Sequence, residues 1–155
     1  MKLSEVKLFE EPIQTRTAQE VWSENESSAV SYVISTIYNV RPVADKDDRF
    51  EVTYDKNGKR TIYATMDQDD LDASFVPIRP NQKPDVEGYT SYRSADVYDA
   101  FKYGGDPVKL TLDGDAVGAT AKLNKGDYLL RQDDGNDFIY TVERANYFDN
   151  SYVKK

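Results

Sequence analysis

The chain has 155 residues, with 20 basic and 28 acidic side chains and a net charge of −8 at neutral pH. It contains neither cysteine nor histidine, which excludes disulfides, thiolate metal sites and cysteine nucleophiles and removes the commonest general base and metal ligand. No apolar run approaches the roughly 18 residues of a membrane span, and the acidic balance disfavours direct binding to nucleic acid, which needs phosphate-neutralising lysine and arginine.

The length suits one ordinary domain or two small ones that share an interface. The charge is uneven: residues 1–78 hold nine basic and fifteen acidic side chains (−6), and residues 79–155 hold eleven and thirteen (−2). Twelve tyrosines stand out; they suit half-buried strands and protein interfaces, where the ring is apolar and the hydroxyl stays wet. The first residues, Met1 to Leu8, lack the apolar core of a signal peptide, so the expected location is a cytoplasm.

In chain order, Val6 to Phe9 is a short candidate strand. Thr17-Ala-Gln-Glu20 fits a capping box, predicting a helix over 18–24 with Val21 and Trp22 buried. Ala29 to Val40, rich in β-branched and aromatic residues, reads as one central strand ending at Pro42. Phe50, Val52 and Tyr54 alternate toward Asn57-Gly58, a strong hairpin signal, and Thr61 to Met66 returns. Asp67 to Asp72 is an acidic turn or single helical turn, followed by Ala73 to Ile78. Three of the six prolines lie in residues 77–84, so 77–88 reads as a stiff inter-module linker. Beyond it Ser94 is placed to cap a helix over 95–103, with Val97, Tyr98 and Phe101 on one face and Gly104-Gly105 as its left-handed stop. Val108 to Leu112 and Val117 to Leu123 read as strands around an Asp113-Gly-Asp115 turn. Tyr128-Leu-Leu130, Asp134-Gly135 and the alternating Phe138, Tyr140 and Val142 make a last hairpin, and Asn146 to Val153 closes the chain.

An ungapped offset of 77 residues superposes the two hairpins. Gly58 then meets Gly135, Ile62 meets Ile139, Tyr63 meets Tyr140, Asp72 meets Asp149, Ser74 meets Ser151 and Val76 meets Val153. Leu71 faces Phe148 and Phe75 faces Tyr152. Arg16-Thr-Ala18 meets Arg93-Ser-Ala95 at the same offset, and one deletion aligns Val21-Trp22 with Val97-Tyr98. The expected fold is therefore mainly β (α+β): two tandem modules, residues 1–76 and 89–155, each one short helix plus an antiparallel sheet of three to four strands. Trp22, Ile34, Val52, Ile62, Phe75, Val97, Phe101, Leu110, Leu129, Ile139 and Phe148 are the expected core.

Residues 108–153 resemble a small phage-associated β module named PGDYIV after its central strand. The matching positions are Gly126, Asp127, Tyr128, Leu129, Leu130, Gly135, Tyr140, Phe148 and Tyr152. The stretch over 16–78 is a degenerate copy that departs from the pattern, with Arg49-Phe-Glu51 where Gly-Asp-Tyr stands in the second. The resemblance covers under a third of the chain. It implies a bacteriophage or prophage protein and carries no catalytic residues.

No nucleophile elbow, phosphate-binding loop or dinucleotide fingerprint is present. Asp67, Asp69, Asp70 and Asp72 could offer oxygens to calcium, but an EF-hand loop counted from Asp67 would need glycine where Asp72 stands and glutamate where Ile78 stands. These four aspartates are instead candidate protein contacts. No catalytic residue, cofactor or metal is expected. The expected function is a non-catalytic, protein-binding structural protein, such as a head-decoration component that meets a capsid or other virion protein. It would be made in the host cytoplasm and then carried in the virion, with no membrane partner. The alternative is an acidic soluble inhibitor of a host nuclease or defence protein, acting as a nucleic-acid mimic.

Overall fold

The computed structural model describes residues 13–112 and 119–155. The candidate strand Val6 to Phe9 and the turn at Asp113 to Asp115 lie outside the described residues. The protein is mainly β, with antiparallel sheets and three short α-helices among the described residues. It divides into two compact units, Met1–Val30 with Asp99–Phe148 and Ser31–Tyr98 with Asp149–Lys155. The units are thus discontinuous in sequence and do not follow the expected boundaries at 1–76 and 89–155.

In the first unit, β1 (Gln14–Thr17) runs into α1 (Ala18–Asn25). Thr17 is the N-cap: its hydroxyl oxygen accepts from the Glu20 backbone N–H at 3.1 Å, satisfying one of the donors a helix start leaves open. The expected capping box is altered, because the Thr17 hydroxyl donates to the Glu20 carboxylate at 3.0 Å. Ala18, Val21 and Trp22 fall at helical spacing and are buried. They pack with Val108, Leu110 and Leu123, which come from β9 (Val108–Thr111) and β10 (Thr120–Leu123). β9 pairs in parallel with β1 and antiparallel with β10.

The same core takes Phe101 from β8 (Val97–Lys102) and Leu129 from β11 (Tyr128–Asp133). β11 pairs antiparallel with β8 and with β12 (Phe138–Glu143). The helix expected over 95–103 is therefore a strand. Valine, tyrosine and phenylalanine suit a pleated surface, and the pairing of Phe101 with Leu129 decides for it. Gly104 and Gly105 accordingly keep ordinary φ. A Cβ at Gly105 would come 2.6 Å from the Tyr103 hydroxyl, so the Tyr103 ring would have to shift to admit one.

The second unit contains a five-stranded sheet in the order β5-β4-β3-β7-β6, formed by β3 (Tyr38–Pro42), β4 (Phe50–Lys56), β5 (Lys59–Met66), β6 (Phe75–Pro77) and β7 (Thr90–Ser94). Asn57 and Gly58 both have positive φ, 53° and 80°, as a two-residue hairpin turn demands. The helix α2 (Gln68–Ser74) lays Leu71 on one face of the sheet, against Val40, Val52 and Phe75. The single strand expected over 29–40 is divided into β2 (Val30–Ile34) and β3. At the break, Ser35 donates its N–H to the Ser151 carbonyl at 2.8 Å and its hydroxyl to the Asn150 carbonyl at 3.2 Å.

The proline-containing segment 77–88 is an exposed loop that stays within the second unit, between β6 and β7, and does not join two units. Pro77 stands opposite Tyr92, and Ile78 donates to the Ser91 carbonyl at 3.0 Å. The Gln82 side chain accepts from the Ser91 N–H at 2.8 Å and donates to its carbonyl at 2.7 Å, as a neighbouring strand would.

The hairpin, helix and strand succession recurs at the 77-residue offset. The helix α3 (Ala145–Ser151) and β13 (Tyr152–Lys154) correspond residue for residue to α2 and β6. Leu71 and Phe148 are both buried. β6 pairs with β7, and β13 pairs with β2, so each terminal strand is completed by a strand from the other half of the sequence. The front ends differ: Val21-Trp22 lies in a helix, whereas Val97-Tyr98 lies in a strand.

Seven of the eleven expected core residues are buried, and Ile34 and Val97 are half-buried. Ile62 and Ile139 are corrections, at 66% and 49% exposure. In β5 the register shifts so that Val52 faces Ala64 while Thr53 faces Ile62, leaving Tyr63 as an inserted residue. Ile62 therefore lies on the face away from Leu71. We expect Leu71→Ala to cost about 2–5 kcal/mol in urea unfolding, while Ile62→Thr stays within about 0.5 kcal/mol of the parent.

Candidate functional site

The four aspartates singled out from sequence form the start of α2. Asp67 is its N-cap and accepts from the Asp70 N–H at 2.8 Å. Asp72 accepts from the Gln68 side-chain amide one turn earlier, also at 2.8 Å. Two of the four carboxylates therefore hold the helix, and Asp69 and Asp70 stand exposed in its first turn, where the helix dipole favours negative charge. Among the described residues no three His, Cys, Asp or Glu side chains converge to hold a metal ion.

The far end of α2 borders a cleft of about 400 Å³ in the second unit. Tyr38, Tyr63, Met66 and Phe75 contribute its apolar walls, and Ser94 and Asp96 its polar side. The Tyr38 ring centroid lies 5.3 Å from Tyr63 and 4.9 Å from Phe75, and Tyr63 lies 6.0 Å from Phe75. All three pairs are close to perpendicular, with interplanar angles of 67–87°, the edge-to-face arrangement that ring quadrupoles prefer. Tyr54 closes the group from behind, 6.3 Å from both Tyr38 and Tyr63. Tyr63 is 56% exposed. The inserted position in β5 is what turns it toward this cluster while Ile62 faces the other way. Burial, reinforced by the neighbouring Tyr63 and Tyr54, raises the Tyr38 phenol above its ordinary range.

The sequence marks the abundance of tyrosine but not this cluster. Its members come from four strands, and only the register that sets Tyr38 opposite Tyr54, together with the β5 irregularity, unites them.

On the other sheet face Tyr89 is 4% exposed, lying between the guanidinium groups of Arg41 and Arg60 at 4.4 and 4.0 Å from its ring centroid. Its hydroxyl donates to Glu51 at 2.9 Å, Arg41 approaches the same carboxylate at 3.7 Å, and Arg60 pairs with Glu87. Burial is the main cause that raises the Tyr89 phenol, followed by its bond to Glu51. Asp85 organises the preceding turn by accepting from the N–H groups of Glu87 and Tyr89 at 2.9 and 3.0 Å. The Tyr89 bond leads the causes that hold this carboxyl below its usual range. These charges satisfy one another, so the network is a clasp that holds the loop to the sheet.

In the first unit the resembled motif is spent on the fold. Gly126 turns with φ 93°. Asp127, 6% exposed, accepts from the Asn124 N–H at 2.8 Å and pairs with Arg144. Tyr128 stacks on Phe148 at 3.8 Å.

Compared with protein-family models, with curated proteins and with solved structures, the chain matches none.

Tyr38 and Tyr89 favour the neutral phenol in the folded state. Their contribution is complete below the unfolded tyrosine pKa of about 10 and is lost as pH rises through the higher folded values. Melting temperature should therefore fall in that alkaline window, and should fall less in Tyr38→Phe. Separately, Asp85→Ala should speed amide hydrogen exchange at Glu87 and Tyr89 and leave Leu129 unchanged.

Proposed function

We propose that this chain is a non-catalytic protein-binding component, and that its contact surface is the aromatic cleft of the second unit together with the exposed carboxylates of α2. The observation that carries this reading is the cluster of Tyr38, Tyr63 and Phe75, in which Phe75 is buried, Tyr38 half-buried and Tyr63 more than half exposed. Tyrosines of this kind serve as interface anchors because they lose little side-chain entropy and present both an apolar ring and a hydroxyl. Lack of histidine and cysteine removes the residues most often used for acid–base and nucleophilic catalysis.

The resemblance over residues 108–153 supports a bacteriophage setting, in which the partner is a capsid or other virion protein and the chain is an accessory component such as a head-decoration protein. The charge of −6 on residues 1–78 supports a second reading, an acidic inhibitor that engages a host nuclease or defence protein.

The test is capture from phage-infected cells by the full chain, with the retained proteins identified by mass spectrometry. The first reading expects a virion protein as the main partner and stoichiometric presence of the chain in purified particles. A Tyr63→Ser, Asp69→Lys, Asp70→Lys variant should lose about tenfold in affinity, whereas Tyr147→Ser, at an exposed tyrosine of the first unit, should not. A host nuclease as partner would favour the second reading, and equal capture by both variants would refute the assigned surface.

A further inference from the structure

We infer that the aromatic cleft is a cation-binding pocket, built to take the ammonium or guanidinium group of a lysine or arginine from the partner protein. The inference rests on the protein-binding reading above and adds the chemistry that the cleft selects. Its walls are the rings of Tyr38, Tyr63 and Phe75 and the thioether of Met66. Aromatic faces carry negative quadrupole density and attract a desolvated cation, and a polarizable sulfur adds to the same preference.

The charge of the lining has one sign. Asp96 is its only ionisable carboxylate, and no lysine or arginine lines the cleft. Among the described residues Asp96 forms no salt bridge. Its backbone N–H is occupied by the Ser94 hydroxyl oxygen at 3.3 Å, which sets the turn. An anion would meet this carboxylate with no cation to offset it. A neutral apolar group would fill the aromatic walls but strip water from Asp96 without replacing the lost interaction. A cationic side chain satisfies both halves, and about 400 Å³ is ample for one.

A second cleft of the same unit shows that the sign is local. It is smaller, about 250 Å³, and is lined by Arg93 and Lys154 among apolar residues such as Val33 and Val76. The two clefts meet at Ser94, with Arg93, Lys154 and Lys155 on one and Asp96 on the other.

The experiment titrates the full chain with Nα-acetyl-arginine methylamide, Nα-acetyl-lysine methylamide and the uncharged Nα-acetyl-norleucine methylamide, following the ring resonances of Tyr38, Tyr63 and Phe75 by NMR. The expected result is binding of the two cationic probes about tenfold tighter than the norleucine probe, weakened by added salt. Asp96→Asn should lower the affinity for the arginine probe several-fold with unchanged melting temperature, and Tyr63→Leu should lower it several-fold in a chain that still melts cooperatively. Equal binding of the norleucine probe, unmoved ring resonances, or full affinity in Asp96→Asn would each overturn the inference. Capture of a partner protein by a chain that binds no cationic probe would overturn the pocket and leave the protein-binding reading standing. Probe binding without any partner would do the reverse.

Discussion

At Phe75 the helix α2 becomes the strand β6 with no residue between them. The Phe75 N–H still closes the helix on the Leu71 carbonyl, while its backbone is already extended at φ −138° and ψ 151°. Its partner in the ladder is Ser94. One residue is therefore helix cap, strand start, core member and cleft wall. Because the junction has no slack, Leu71 and Phe75 are delivered together onto the sheet. β6 must then find an edge, and the one it meets, β7, lies beyond the proline-containing segment. The folding of 77–88 into the second unit is a consequence of that constraint.

The α3 and β13 succession repeats the same junction, with Phe148 buried and Tyr152 opening a strand opposite Ile34. Here the burial differs in kind, since Phe148 stacks against Tyr128 of the Gly-Asp-Tyr stretch. Asp127 beside it is a buried carboxylate with both a backbone donor and Arg144 as partners. A buried charge is tolerable only when so satisfied. The Gly126-Asp-Tyr128 stretch thus secures a turn and a helix.

Electrostatics in the second unit follow a simple division. On one sheet face arginines and glutamates pair around Tyr89 and leave little free charge. On the cleft, Asp96 forms no salt bridge among the described residues, and Asp69 and Asp70 face solvent at the opposite end of α2. Net charge alone reads as solubility. Its distribution beside the aromatic cluster leaves Asp96 as the one charged group on the cleft lining.

Local chemistry is legible in the amino-acid sequence alone. Thr17 as a cap, Asn57-Gly58 as a turn and the strand that starts at Val108 depend on neighbours a few residues away, and each is found where the chain places it. The recurrence of the hairpin at 77 residues is visible for the same reason, whereas the helix and strand after the second hairpin are not read there. Tertiary pairing decided what lay beyond that range. It made 97–102 a strand, because Phe101 meets Leu129. It exposed Ile62, because a one-residue irregularity in β5 reverses the face of every residue past it. It gathered Tyr38, Tyr54, Tyr63 and Phe75 from separate strands into one cluster. Propensity and capping act over one turn or one hairpin, whereas the face a side chain presents is set by a register between residues far apart in the chain.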